Sequence, residues 1–339
     1  MSTPPGILPC QSLEALIAEG AITAETAFDE DQVQPASLDL RLGGRAWRVR
    51  ASFLPGRGRT VADRIGQVAM HELDLDRGAV LERGCVYIAE LQERLALPPG
   101  VSARANPKSS TGRVDVFVRL LSDSGPAFDD VAEGYRGPTY VEIAPQTFSV
   151  LVRRGTRLNQ LRLKRGAPPR LRVASVGVDL TSSRIAGFRA RRHAPVVDLD
   201  REDGHDPTQY WEPLIPRDGQ LLLDPGEFYI LASKEAVEIP VLEAAEMTPI
   251  DPSVGEFRVH YAGFFDPGFG TDEAHGKGSR GVLEVRSHET PFILEDGQTV
   301  ARLVYEPLTE RPTRLYGDLG SHYQRQGLRL SKHFKIWGE

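Results

Sequence analysis

Two glutamates lie inside apolar segments that are otherwise typical of buried strands. Glu142 belongs to the segment YVEI (140–143) and Glu284 to the segment VLEV (282–285). Because successive side chains of a strand point to opposite faces, each glutamate is expected to face away from its apolar neighbours. A single carboxylate in such a place is usually solvated, but two matching copies favour a partly dry cleft. Desolvation in a cleft raises a carboxyl pKa, so that a glutamate there can carry a proton near neutral pH.

The polar segment KSSTGR (108–113) could bind phosphate. Lys108 supplies a positive charge, Ser109 and Ser110 supply hydroxyls, and a turn here would expose backbone N–H groups. Arg113 carries a fixed charge that could orient a carboxylate. Serine-rich turns are also common without any function. The corresponding segment of the second half, 251–256, ends in a glutamate instead of an arginine, so the two halves are not expected to be chemically equivalent.

Two further polar features lie in the second half. The segment DPGFG (266–270) predicts a turn, which at the mouth of a barrel could present Asp266 to a sugar hydroxyl. The first half has a looser counterpart in FDD (128–130). Near the C-terminus a polar, aromatic tail contains Tyr316, His322, Tyr323 and Gln326. Terminal segments are usually frayed, but a tail of this composition could close over a ligand as a lid.

The composition excludes several classes of protein. The chain has 339 residues and a formal net charge of −6, which argues for a globular protein and against general nucleic-acid binding. Two cysteines, Cys10 and Cys85, provide neither a disulfide framework nor the paired cysteines of a zinc deaminase. No apolar run reaches the length of a membrane span, and the N-terminus does not resemble a signal peptide. We therefore expect a protein of the reducing cytoplasm with no metal site and no membrane or nucleic-acid partner.

Glycine and proline occur so often along the chain that long helices are not expected. The sequence contains 33 glycines and 25 prolines. One short helix is predicted from Ser12, its N-cap, to Gly20. Its apolar face would consist of Leu13, Leu16 and Ile17. Segments rich in β-forming residues predict strands at 37–42, 85–90, 139–143 and 148–152, so the protein is expected to be mainly β with a few short helices.

Short segments of the first half recur in the second half in the same order. SLDL (37–40) matches GVDL (177–180), and 84–88 matches 226–230. The two glutamate segments are 142 residues apart, and so are the turn glycines Gly155 and Gly297. A common order at nearly one spacing indicates a tandem duplication of a β domain. We place the first domain at 1–165 and the second at 166–339, with the boundary in the arginine- and proline-rich stretch 164–172.

Several of these segments together resemble the dCTP deaminases of the dUTPase-like superfamily, most closely the long, duplicated form of that enzyme. The segments are PASLDLRLGG (35–44), KSSTGR (108–113), DPGFG (266–270), RGVLEV (280–285) and the tail that begins at Tyr316. The resemblance covers most of both halves. It implies a tandem duplication of a dUTPase-like distorted β-barrel or jelly-roll domain, the β-clip fold. It also implies a homo-oligomer with sites between domains.

The activity that this resemblance implies is hydrolysis of the cytosine amino group of dCTP. The products are dUTP, which feeds the synthesis of dUMP and dTTP, and ammonia. The family works without zinc and without a protein-bound cofactor, and Mg²⁺ is carried with the nucleotide triphosphate. The strand glutamate that moves the protons corresponds to Glu142 and equally to Glu284. Ser109 would hold the attacking water, and Arg113 would fix the glutamate and favour its ionised form at the start.

The resemblance also implies the residues that bind the substrate. They are Lys108 and Ser110 for the phosphates, Asp266 for the sugar, and Tyr316, His322 and Gln326 for the triphosphate. His322 stands where the family usually has a lysine, so triphosphate affinity is expected to depend on pH.

Each half lacks a motif that the other half has, which suggests a composite site formed by both. The first half keeps the serine–arginine segment, whereas the second half keeps the DPG turn and the tail. In a composite site Glu284 would be the acting base, whereas Glu142 would act in a site confined to the first half.

Two other functions are compatible with the same residues. The first is a dUTP pyrophosphatase, or an enzyme that performs both steps, in which Asp266 or Asp130 activates the water that attacks phosphorus. The second is a non-catalytic nucleotide-binding protein on the same fold, since a fold does not determine a function. The resemblance further suggests dTTP as an effector.

Overall fold

The computed structural model describes residues 4–168, 171–250, 257–260, 263–287, 290–320 and 323–338. Strands account for 45% of the chain and helices for 8%, which confirms the mainly β class with a few short helices. Among the described residues, the largest sheet has 11 strands and curves into a nearly closed barrel in the first half. No described helix combines the length and apolar character that a bilayer crossing requires.

The first half consists of short strands interrupted by three helices within residues 4–168. The helices are α1 (Cys10–Ala18), α2 (Val61–Val68) and α3 (Ser109–Gly112). The strands are β1 (Gly6–Ile7), β2 (Ile22–Ala24), β3 (Val33–Gln34), β4 (Ser37–Val49), β5 (Ala69–Asp74), β6 (Ala79–Leu81), β7 (Val86–Ala96), β8 (Val101–Pro107), β9 (Val116–Ser122), β10 (Asp130–Val131), β11 (Arg136–Pro145), β12 (Val150–Val152) and β13 (Arg157–Arg165).

The second half is built in the same way, with a short 3-10 helix at Pro207–Gln209. Its strands are β14 (Arg172–Gly177), β15 (Gly187–Ala190), β16 (Val197–Asp198), β17 (Trp211–Leu214), β18 (Gln220–Leu223), β19 (Phe228–Ala236), β20 (Glu243–Pro249), β21 (Phe257–His260), β22 (Phe264–Phe265), β23 (Arg280–Ser287), β24 (Phe292–Glu295) and β25 (Thr299–Pro307).

The strand pairing of the first half recurs in the second half. β11 lies between β7 and β9, and β23 lies between β19 and β21, in each case antiparallel. Likewise β13 lies between β4 and β8, and β25 lies between β14 and β20. The register also matches, because Glu142 pairs with Ile88 and Glu284 with Ile230. These ladders confirm the predicted tandem duplication, and they place the two glutamates at equivalent points of the two sheets.

The predicted N-terminal helix is present, but the prediction that Ser12 caps it is wrong. α1 begins at Cys10 after Pro9, whose side chain makes no capping bond. Ser12 lies inside the helix, where its hydroxyl donates to Glu310 Oε1 at 3.2 Å. This contact with the second half could not be read from local sequence. Gly20 follows the helix with φ of +74°, a left-handed conformation that favours glycine and ends the helix as predicted.

Helix α2 was not predicted. Thr60 Oγ1 accepts a bond from Asp63 N at 3.0 Å, and the Asp63 carboxylate accepts one from Thr60 N at 3.2 Å. This capping box satisfies two backbone donors of the first turn. Val61 and Ile65 are buried against the first-half sheet. They cover the face of that sheet on which Glu142 lies.

The larger hydrophobic cluster joins the two halves of the chain. It contains the apolar side chains of the first-half strands together with Trp211, Phe228 and Phe334 from the second half. The Phe334 ring packs edge-on against Tyr210 and Trp211, with centroids 5.0 and 5.9 Å apart. The chain that follows the polar tail is therefore anchored in the core.

Candidate active site

A cavity of about 410 Å³ between the two halves collects most of the predicted site residues. Its volume is typical of a small-molecule site. The first half contributes Lys108, Ser109, Ser110 and Arg113, and the second half contributes Asp266, Glu284, Tyr316 and Gln326. The structure therefore brings the serine–arginine segment of one repeat to the strand glutamate, the DPG turn and the tail of the other.

Glu284 reaches this cavity because of its place in β23. Its neighbours Leu283 and Val285 are fully buried in the core of the second half, so the alternation of the strand turns the glutamate to the opposite face. The residue is only 5% exposed. Burial raises the pKa of Glu284 to about 8, and the nearby Arg113 opposes this effect only in part.

The charge of Glu284 differs from the sequence-based expectation. Arg113 was expected to keep the glutamate ionised, but Arg113 Nε lies 4.0 Å from Glu284 Oε1, at the outer limit of an ion pair. Since the cost of burying the charge exceeds this attraction, the protonated form predominates at neutral pH.

Arg113 follows the short helix α3 and is held by the C-terminal tail. Its Nη1 donates to the carbonyl of Arg329 at 3.1 Å, and its Nη2 donates to Gln326 Oε1 at 3.0 Å. The guanidinium carbon lies 3.9 Å from the centroid of the Tyr323 ring. Arg113 is therefore buried, at 3% exposure, between the tail and Glu284.

The segment 108–110 lines the cavity with one charge and two hydroxyl residues. Lys108 Nζ donates to a carboxylate oxygen of Asp39, and Arg157 Nη1 lies 3.5 Å from the same oxygen. Ser109 is partly exposed, whereas Ser110 is buried and its carbonyl accepts a bond from Ser331 Oγ at 2.8 Å. Because Lys108 is already paired, a phosphate group would have to share it with Asp39.

Asp266 is held by groups of the first half. Its Oδ1 accepts a bond from Arg162 Nη2 at 2.9 Å, and its Oδ2 accepts one from Ser37 Oγ at 3.4 Å. Burial raises the pKa of Asp266, and Arg162 opposes that effect. The carboxyl that was predicted to meet a sugar hydroxyl is thus fixed by the partner repeat at the edge of the cavity.

The tail and an apolar wall complete the lining. Tyr316 N donates to the carbonyl of Pro267 at 2.8 Å, and its ring packs edge-on against Phe269. The wall also has apolar members that were not predicted, which include Met247, Phe264, Phe265 and Val282. Val282 could have been found, because it lies two residues before Glu284 and so shares its face of β23.

Glu142 lies outside this cavity. Its Oε1 accepts bonds from Arg119 Nε at 3.0 Å and Arg119 Nη2 at 2.5 Å. The Arg119 guanidinium is stacked over Phe128 at 3.5 Å, and Glu142 itself is 1% exposed beneath α2. At the equivalent strand position, the first half therefore has a buried ion pair where the second half has a cavity.

Two parts of the predicted site, His322 and the segment 251–256, lie outside the described residues. Within the part of the chain that the structure describes, no group of three or more His, Cys, Asp or Glu side chains is arranged to hold a metal ion. Zinc independence stays a prediction.

Profiles of one enzyme family match almost the whole chain. The N-terminal domain of 2'-deoxycytidine 5'-triphosphate deaminase matches residues 4–167, and the C-terminal domain of the same enzyme matches residues 171–334. The chain belongs to the dCTP deaminase family. This confirms the resemblance seen in the sequence and supports an enzyme over a non-catalytic nucleotide-binding protein.

A solved dCTP deaminase supports the fold as well. The crystal structure of the enzyme from Agrobacterium tumefaciens is similar with a TM-score of 0.86 and 52% sequence identity, covering 91% of this chain and 100% of that chain. The likeness at this coverage confirms the duplicated β fold that the resemblance implied.

Some curated relatives in the dCTP deaminase family are much shorter. The dCTP deaminase of Halorubrum lacusprofundi is 32% identical over 149 residues, which are 43% of this chain and 70% of the relative. The dUMP-forming dCTP deaminase of Beutenbergia cavernae is 29% identical over 184 residues, which are 54% of this chain and 91% of the relative. Each match spans about half of this chain, as a duplication of a single-domain enzyme would produce.

Proposed function

We propose that the chain hydrolyses dCTP to dUTP and ammonia in the cavity that joins Arg113 to Glu284. The observation that carries this proposal is the buried Glu284, whose pKa is raised to about 8 beside Arg113 at 4.0 Å. A carboxyl that changes its charge near neutral pH is suited both to give and to take a proton. Deamination at C4 of cytosine needs such a group, because a proton must reach the ring before water attacks and another must reach the leaving amine.

The proton steps follow from the protonated state of Glu284. Glu284 donates its proton to N3 of the cytosine, which makes C4 more electrophilic. The resulting carboxylate takes a proton from the water that attacks C4, while Ser109 holds that water by a hydrogen bond. Glu284 then passes this proton to the amino nitrogen, and the bond from C4 to that nitrogen breaks to release ammonia. The hydroxyl on C4 returns a proton to Glu284, which leaves uracil and regenerates the acid.

Arg113 acts on the charged form of the glutamate. Each time Glu284 gives up its proton, the carboxylate forms 4.0 Å from a permanent positive charge inside a buried site. Attraction at this distance stabilises the charge most where water is excluded. Arg113 thereby limits how far burial raises the pKa of Glu284 and keeps that pKa close to neutrality.

We propose that the triphosphate enters with its Mg²⁺ as part of the substrate. Cations that line the cavity support this orientation, namely Lys108, Arg157 and Lys332. In this proposal Asp266 binds the sugar, and Tyr316, His322 and Gln326 bind the triphosphate. The dUTP formed would feed the synthesis of dUMP and dTTP, with dTTP as an effector.

An assay of ammonia release from dCTP tests this function. The buffer is first treated with a chelator, and Mg²⁺ is then added back. We expect ammonia and a uracil nucleotide in equal amounts, with full activity restored by Mg²⁺ alone. Nucleotide binding without ammonia release would refute the deaminase proposal. A requirement for zinc after Mg²⁺ has been restored would refute the zinc-independent mechanism.

A second candidate is the release of dUMP by the same chain. The relatives from Halobacterium salinarum and Beutenbergia cavernae are named dUMP-forming dCTP deaminases, which favours this candidate. Pyrophosphate is then measured beside ammonia, with dCTP and with dUTP as substrates. Pyrophosphate released in step with ammonia would establish both reactions, whereas ammonia with accumulating dUTP would limit the chain to deamination.

A further inference from the structure

We propose that Gln326 and Tyr323 are positioning residues that hold Arg113 in the orientation it needs beside Glu284. This inference rests on the proposed deamination. It gives the C-terminal tail a role in the chemical step in addition to its predicted contacts with the triphosphate.

The contacts of the guanidinium leave one nitrogen facing the glutamate. Nη1 is bonded to the carbonyl of Arg329, Nη2 is bonded to Gln326, and one face lies against the Tyr323 ring. Among the described residues, Nε has no hydrogen-bond partner, and it is the atom that lies 4.0 Å from Glu284. The tail therefore determines which edge of Arg113 faces the acid.

Gln326 also ties Arg113 to the strand that carries Glu284. Its Nε2 donates to the carbonyl of Arg280 at 2.9 Å, and its own carbonyl accepts a bond from Arg280 N at 2.9 Å. Arg280 is the first residue of β23. One amide side chain thus links an arginine of the first half to the strand of the catalytic acid in the second half.

This geometry separates two roles of the tail. If Gln326 only bound phosphate, its loss would weaken substrate binding and leave the bound complex reactive. If it positions Arg113, its loss displaces a charge from the reacting carboxyl while other groups still bind the substrate. Small misplacements of a catalytic group cost up to about a hundredfold in rate.

The test compares Gln326→Leu with Gln324→Leu. Gln324 belongs to the same tail and is a matched control, because its Nε2 donates to the carbonyls of Ala274 at 2.8 Å and Tyr316 at 3.1 Å. One bond holds the tail to Ala274 of the loop that follows the DPGFG turn, and the other lies within the tail; neither involves Arg113. We expect Gln326→Leu to lower kcat by about ten- to a hundredfold with KM within about threefold, and Gln324→Leu to act mainly on KM. A rise in KM alone for Gln326→Leu would overturn the inference.

A double-mutant cycle with Arg113→Lys gives a second measurement. Lysine cannot form the bond to Gln326 in the same geometry, so Gln326→Leu should slow the Arg113→Lys chain by no more than about twofold. If the fold-loss in kcat of the double variant equals the product of the two single fold-losses, Gln326 does not act through Arg113.

The four chains of this cycle are the wild type, Gln326→Leu, Arg113→Lys and the double variant. They are also compared by urea unfolding, which does not depend on turnover. We expect the double variant to shift the unfolding midpoint by less than the two single shifts together. Additive shifts would show that the two side chains do not hold one another, whatever the activity. Failure of the wild-type chain to release ammonia from dCTP would instead refute the proposed function.

Discussion

Glu142 and Glu284 occupy the same strand position but have different electrostatic surroundings. Glu142 accepts two bonds from Arg119 and forms an ion pair with it. Glu284 lies 4.0 Å from its arginine, a distance too long for such bonds. A carboxylate that is already bonded to a guanidinium is a poor proton carrier, whereas one that is only attracted to it can change its charge. Residue type alone therefore could not decide between the two candidates.

A matched pair of substitutions tests this difference in activity. We expect Glu284→Gln to lower kcat for ammonia release by at least about a hundredfold, because glutamine cannot carry the proton. Glu142→Gln should change kcat by less than about threefold, since its side chain lies outside the cavity. Equal losses in the two variants would refute the assignment of Glu284 as the acting group.

Glu142→Gln is expected to lower the stability of the fold although it leaves kcat nearly unchanged. Glu142→Gln leaves the Arg119 charge without its partner in a largely buried setting. We expect the free energy of unfolding to fall by about 1–3 kcal/mol, measured by urea denaturation. An unchanged denaturation midpoint would show that the Arg119 pair adds nothing to the fold.

The pH dependence of turnover follows from the raised pKa of Glu284. The proposed mechanism starts from the protonated acid, and burial keeps that proton bound up to about pH 8. The active form is therefore fully present below this pH and is lost above it. We expect kcat/KM to fall about tenfold per pH unit well above pH 8. A profile that rises across this range would mean that the ionised glutamate starts the reaction.

At the scale of elements, the C-terminal tail is the part that departs most from the prediction. Its composition and its place near the C-terminus were compatible with either a frayed end or a lid that closes over a ligand. The structure instead fixes both of its ends: Tyr316 is bonded to Pro267, and Phe334 lies in the core shared by both halves. Between these ends, the carbonyl of Arg329 and the side chain of Gln326 accept bonds from Arg113, so Arg113 is held by a tail that is fixed on both sides.

Replacing Phe334, which fixes the end of the tail in the core, should loosen the tail. Phe334 is 3% exposed, so Phe334→Ala is expected to lower the free energy of unfolding by about 3–5 kcal/mol. It should also lower kcat, because the bonds that Arg113 donates to Arg329 and Gln326 depend on an ordered tail. Ile336→Ala serves as the control, since Ile336 is 53% exposed and should cost less than about 0.5 kcal/mol. The same loss in both variants would argue against the anchor.

Four of the 25 described strands were predicted, because their signal is local. Alternation and β-forming residues identified 37–42, 85–90, 139–143 and 148–152, which fall within or overlap β4, β7, β11 and β12. The start of α1 was misplaced because the Ser12 hydroxyl bonds to Glu310, far away in sequence. Helix α2 was missed because its sequence signal is short: a Thr60–Asp63 capping box followed by only two turns of helix.

At the scale of the whole molecule, one cavity combines the serine–arginine segment of the first half with Glu284, the DPG turn and the tail of the second half. The motifs predicted which residues belong to it, because each motif carries its own chemistry. The complementary motifs of the two halves suggested that they meet in one composite site, and the cavity lined by both Arg113 and Glu284 agrees with this. The distances between these residues could not be predicted, because they are far apart in sequence and come together only through packing of the two repeats. The sequence predicted that a strand glutamate in a dry cleft would have a raised pKa, but it could not show that Glu284 is that residue, because the effect depends on how much water the packed cavity excludes.

Dilution should therefore leave the activity per chain unchanged. The sequence predicts a homo-oligomer, and Arg113 and Glu284, the two groups of the proposed proton steps, both come from this one chain. We expect the same kcat from about 10 µM down to about 10 nM enzyme, even where sedimentation shows that an oligomer dissociates. A specific activity that falls together with dissociation would show that a second chain completes the site.

The division of the cavity between the repeats restricts how the gene can change. Unequal recombination between the two halves of the coding sequence would leave a single-domain chain with either the arginine segment or the reactive acid beside its tail. Arg113 and Glu284 lie in different repeats and approach to 4.0 Å, so the proposed site needs both halves of the chain. Reversion to the length of the short relatives would require the missing half of the chemistry to arise anew.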